Sequence, residues 1–144
     1  MKKVEPLELL MRTFLGELKE HVEVLNHDLL ALEKGPPEDE RSELVKSLFR
    51  VAHTLRGAAE SVNVTPIATA SHELEGILTT ARDEGISLDE DQFELFFAAV
   101  DAMAEMGRRL DAKEPIEAGR LSEVTASLAA AAAAGARAGV PRSD

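Results

Sequence analysis

Apolar residues recur at every third or fourth position along almost the whole chain, and no window alternates with the period of two that a half-buried strand requires. A chain with that rhythm is confined to helices that bury one stripe each against their neighbours. The first helix is expected from about Pro6 to Leu32, with Leu7, Leu10, Phe14, Leu18, Val22, Leu25, Leu29 and Leu32 on its stripe. Gly35-Pro36-Pro37 stops it, since Gly accepts a left-handed cap and Pro cannot continue a helix. A second helix begins around Glu38–Arg41 and carries Leu44, Leu48, Ala52, Leu55, Ala59 and Val62, with Asn63 as a left-handed terminator.

Thr65-Pro66 reads as N-cap and first residue of a third helix, with Ile67, Ala70, Leu74, Ile77, Leu78 and Ala81 inward and Gly85 at its end. Ser87 and Glu90 have the spacing of a capping box that opens a fourth helix. Phe93, Phe96, Phe97, Val100, Met103, Met106 and Leu110 are its core residues. Pro115 opens a fifth segment with Ile116, Leu121, Val124 and Leu128, which either packs on the bundle or leads toward another domain. The expected fold is all-α, an antiparallel four-helix bundle with an additional C-terminal helix. The domain is expected to span 1–134, with 135–144 a flexible tail or the start of an interdomain linker.

A length of 144 residues suits one such domain. The net charge of −11 argues against nucleic acid or an anionic membrane as partner, because both need clustered Lys and Arg. Without cysteine there is neither a disulfide framework nor a thiolate metal site. Met1-Lys2-Lys3 is followed by an amphipathic pattern, not the apolar run of a secretion signal, so a cytoplasmic protein is expected; the isolated domain is expected to be monomeric.

Gly-rich phosphate loops, G-x-S-x-G and H-E-x-x-H are all missing, which leaves four histidines, His21, His27, His53 and His72, as reactive candidates. His53 falls about 140° from the centre of the second helix's apolar stripe, on the solvent side. Arg50 and Arg56 flank it one turn away on either side, an arrangement that favours a phosphorylated ring over a cationic one. Gly57 costs a helix interior about 1 kcal/mol relative to Ala, and its position at i+4 leaves the His53 ring uncovered. Folding the second and third helices about Asn63–Thr65 brings His72 and Glu75 to the level of His53, about 15 Å up the helix. A carboxylate at Glu75 can then hold one ring nitrogen and leave the other as the nucleophile. His21 and His27 read as structural or surface residues.

The run Leu48-Phe49-Arg50-Val51-Ala52-His53-Thr54-Leu55-Arg56-Gly57 resembles the phosphorylation-site helix of histidine phosphotransfer (HPt) domains, and Ser71-His72-Glu73-Leu74-Glu75 resembles the H-x-x-E of their next helix. The likeness is greatest to the N-terminal HPt domain of CheA-type chemotaxis histidine kinases. Ala58, Asn63 and Val64 stand where many relatives have glycines and a Gly-Phe pair. The resemblance implies that His53 is the phosphoacceptor at Nε2, with Glu75 on Nδ1, Arg56 in the basic position, and His72 as a further tuning partner. It implies a histidine kinase catalytic domain as donor and a response-regulator receiver domain as acceptor. ATP and Mg would come from those partners, with no cofactor in this chain; alone it is a carrier, and as part of a longer kinase it belongs to a phosphotransferase. Phe49 and Gly57 are candidates for partner docking, although rim packing also suits Phe49. Three other readings compete: a free-standing shuttle outside chemotaxis, a zinc site of His53, His72 and Glu75, and a helical adaptor, which would leave Gly57 without a purpose.

Overall fold

The computed structural model describes residues 6–116 and 119–139, with side chains described through Ala132. Among the described residues five helices follow one another: α1 (Pro6–Glu33), α2 (Glu38–Ser61), α3 (Thr65–Glu84), α4 (Glu90–Asp111) and α5 (Gly119–Gly139). The bundle is built on α1 packing against α2 and α4, and on the tight α2–α3 hairpin. α5 lies in the groove between α3 and α4, which touch each other little, and buries Leu121 and Leu128 there. The fifth helix is therefore part of the core.

Phe14, Leu18, Leu25, Leu29 and Leu32 of α1 are buried, as its stripe requires. Leu7 and Leu10, expected on the same stripe, are instead 59% and 52% exposed. Only Met11 and Leu15 of the first turns pack partly against the core, so the stripe runs past the body it covers. α2 and α3 meet the expectation closely: Leu48, Ala52, Leu55 and Ala59 face Ile67, Ala70, Leu74 and Leu78 inside the bundle. Phe93 and Phe96 are buried, while Phe97 is only partly so.

Four boundaries differ from the sequence expectation. The capping box of α4 is formed by Asp89 and Gln92, not by Ser87 and Glu90: Asp89 Oδ1 accepts from Gln92 N at 2.8 Å, and Asp89 N donates to Gln92 Oε1 at 3.0 Å. Both registers satisfy the spacing, and the observed one puts Leu88 and Phe93 at the N′ and N4 positions of a hydrophobic staple. Thr65 is the first residue of α3 and not its cap; Val64 takes that place, buried, with its carbonyl accepting from Ala68 N at 3.1 Å. α5 is described from Gly119: α4 closes through a left-handed Lys113 (φ 58°), Glu114 to Ile116 are not helical, and 117–118 lie outside the described residues. Ile116 is consequently 43% exposed and outside the helix. At the other end α5 continues to Gly139, past the Gly135 expected to open the tail; 140–144 lie outside the described residues.

Candidate functional site

The site is made by the α2–α3 hairpin. Asn63 takes the left-handed conformation (φ 60°), and Val64 N bonds back to Ala59 O at 2.9 Å, so the chain reverses in three residues. That reversal sets the register in which His53 on α2 and Glu75 on α3 stand side by side. His53 Nδ1 lies 2.6 Å from Glu75 Oε2, and Arg56 Nε donates to Glu75 Oε1 at 2.7 Å. The two carboxylate oxygens are thus divided between an imidazole and a guanidinium. Arg56 also reaches Glu60 at 3.6 Å on its own helix.

Partial burial of Glu75 pushes its carboxyl up, but the hydrogen bonds from His53 and Arg56, together with the Arg56 charge, outweigh this and hold it below the usual carboxylate range. An ionised carboxylate only accepts hydrogen bonds, so Nδ1 of His53 carries the proton. Arg56 Nη2 stands 3.4 Å from that same nitrogen, where it is a neighbouring positive charge and not a donor. Nε2 is the ring nitrogen turned from Glu75, the one that bears the lone pair when the ring is neutral, and no hydrogen bond among the described residues engages it. The His53 side chain is 57% exposed, against 13% for Glu75. An exposed nucleophilic nitrogen, backed by a partly buried orienting carboxylate, suits attack on an electrophile brought from outside.

Gly57 lies one turn beyond His53, and a Cβ placed there would meet nothing within 4 Å. The space is open, as the sequence suggested, and no internal contact demands the glycine. Arg50 is exposed, without a hydrogen bond among the described residues. His72 is on α3 as expected but does not join the site. It faces a shallow depression beside Glu60, Asn63, Thr65 and Thr69. Among the described residues no group of three or more His, Asp or Glu side chains is arranged to hold a metal ion, so the zinc triad is not assembled.

Three contacts were missed in the sequence. The Phe49 ring stacks on His53, with centroids 6.0 Å apart and planes within 10° of parallel. The Arg82 guanidinium sits over Phe49, 4.4 Å from the ring centroid. A signal existed: Arg82 is two helical turns past Glu75 and therefore on the same face of α3. Asp28, buried on α1, accepts from Ser47 Oγ at 2.6 Å and from the neighbouring His27 ring at 3.1 Å, fastening α1 to α2 away from the site.

With this geometry in view, comparison with known proteins is informative. The chemotaxis protein CheA of Bacillus subtilis is 34% identical over 119 residues, covering 80% of this chain and 16% of that protein. The sensor histidine kinase CheAY of Helicobacter pylori is 32% identical over 100 residues, covering 69% of this chain and 12% of that protein. The chain therefore spans less than a fifth of the length of these relatives. In fold it is similar to the phosphorylated P1 domain of CheA3 from R. sphaeroides, solved in complex with CheY6, with a TM-score of 0.75, 20% identity, and coverage of 86% of this chain and 95% of that one. The family model described as Hpt domain matches residues 9–134, which takes in all of α2, α3 and α4 and the site between them, and the chain belongs to that family.

Proposed function

We propose that this chain is a phosphoryl carrier of chemotactic two-component signalling, with His53 as the acceptor. The observation that carries the reading is the division of labour on one imidazole: Glu75 holds Nδ1 at 2.6 Å while Nε2 stays unengaged on a side chain that is 57% exposed. In the forward step Nε2 attacks the γ-phosphorus of ATP held by a kinase catalytic domain; the N–P bond forms as the bond to the ADP oxygen breaks. The Nδ1 proton stays with the Glu75 pair, which stabilises positive charge developing on the ring. In the second step an aspartate oxygen of a receiver domain attacks the same phosphorus, and Nε2 leaves with its electron pair restored. Arg56, held against Glu75, supplies positive charge beside the dianionic phosphoryl group.

The identity to CheA proteins supports a kinase catalytic domain as donor, and the CheY6 complex of the structural relative supports a receiver domain as acceptor. ATP and Mg belong to those partners in this reading, which is a cytoplasmic one. No helix among the described residues is long and apolar enough to cross a membrane. The test is direct. Incubated with a CheA-type catalytic domain and labelled ATP, the chain takes up acid-labile, alkali-stable label, and His53→Gln takes up none. Label retained on His53→Gln would overturn the assignment.

A further inference from the structure

The Glu75 hydrogen bond fixes where the His53 ring edge points, but it leaves the ring free to pivot about the Nδ1···Oε2 line. A nucleophile needs both constraints, because the Nε2 lone pair must lie along the line of attack. The second constraint is on the face of the ring. Phe49, one turn earlier on α2, lies within 10° of parallel to it at a centroid distance of 6.0 Å. Phe49 is itself gripped: its inner side packs partly against the core, and the Arg82 guanidinium covers the ring at 4.4 Å. Asp83 in turn accepts from Arg82 Nε at 2.8 Å and lies 3.4 Å from Nη2, which steadies the guanidinium. On the antiparallel α3, Arg82 lies about 10 Å past Glu75, toward the start of α2. Phe49 therefore stands between Arg82 and His53 in the register of the hairpin.

We infer that Phe49 and Arg82 are positioning residues, a stack that sets the plane of the His53 imidazole as Glu75 sets its edge. This deepens the carrier reading and rests on His53 being the acceptor. It also places Phe49 in a different role from partner docking: it acts on the ring before any partner arrives. An aromatic pair of this kind changes the population of the stacked ring by about threefold to tenfold.

The test uses the whole chain and phosphoramidate, a small donor with no docking surface. Nε2 attacks its phosphorus, the N–P bond to His53 forms, and the bond to nitrogen breaks as ammonia leaves. Phe49→Leu should slow this reaction by about threefold to tenfold and increase the motion of the His53 ring seen in its 13C relaxation. Arg82→Ala should shift both readings the same way by a smaller factor, and Arg82→Lys should recover part of the loss through its own cation–π contact. Arg82 is exposed, so its variants probe the stack even where Phe49→Leu folds poorly. A phosphoramidate rate and ring relaxation like wild type in Phe49→Leu and Arg82→Ala would overturn the inference. So would a rise in KM for the kinase domain at an unchanged phosphoramidate rate, which would return Phe49 to docking. Ring relaxation involves no phosphoryl chemistry, so it can fail while His53→Gln still abolishes labelling, and the two readings fail separately.

Discussion

A lone carboxylate beside His53 would compete between the ring and any nearby cation; here Arg56 takes Oε1 and leaves Oε2 for the imidazole. Glu75→Gln keeps the shape but supplies a neutral acceptor, and Glu75→Ala removes the anchor. Glu75→Ala should slow labelling of His53 by at least about tenfold, with Glu75→Gln between it and wild type, since loss of an orienting hydrogen bond to a charged group costs about 1.5–3 kcal/mol. Equal initial rates for all three would reduce Glu75 to a structural charge. The same bonds make a pH signature. The folded carboxyl is held below the usual range, so the unfolded chain binds this proton first as pH falls. The stability Glu75 contributes is complete above the unfolded value and disappears as pH falls through the lower, folded one. Melting curves taken from neutrality to about pH 3 should show wild type losing Tm more steeply than Glu75→Gln at the acid end; parallel losses would contradict the shift. Gly57 supplies a test of the opposite kind. With nothing within 4 Å of an added Cβ, Gly57→Ala should stabilise the chain by up to about 1 kcal/mol. The proposed docking role predicts that it also slows transfer to a receiver domain while leaving the phosphoramidate reaction alone.

At the scale of helices, the two capping registers before α4 can be separated by mutation. Asp89→Ala should cost about 1 kcal/mol, whereas Ser87→Ala should fall within about 0.5 kcal/mol of wild type, as read from denaturant midpoints. The reverse order would restore the Ser87–Glu90 box. Ambiguities of this kind mark the limit of what the sequence shows. The stripes of α2 and α3 and the Asn63 reversal were legible, because a buried helix face and a left-handed residue leave local patterns. So was the pairing of His53 with Glu75, since the hairpin register follows from counting residues to the turn. Which of two adjacent caps closes was not legible, because both satisfy the local rule and the Leu88–Phe93 placement depends on packing. His72 shows the same limit. Its height was foreseen, but three residues before Glu75 on a helix is some 60° around the axis, enough to turn it away. The Arg82–Phe49 contact was half legible: two turns from Glu75 put Arg82 on the same face of α3, but cation–π pairs have no sequence spacing of their own, and the Phe49 partner emerges only once two helices are laid together.

For the whole molecule, the fifth helix carries weight. Leu128 is fully buried between α3 and α4, and Leu128→Ala should lower stability by about 2–5 kcal/mol. Removing α5 from Gly119 onward should expose that groove and lower Tm sharply, with increased binding of a hydrophobic dye; a cooperative melt unchanged by the deletion would show that α5 is dispensable. The chemistry is distributed very differently. Phe49, His53, Arg56, Glu75 and Arg82 all belong to one helical hairpin with a three-residue reversal, and among the described residues no other helix contributes a group. Substitutions on the outer faces of α1, α4 and α5 that preserve the fold should therefore leave the reactivity of the acceptor intact. A hairpin grafted into a related bundle should carry with it both its reactivity and any docking contact made at Gly57.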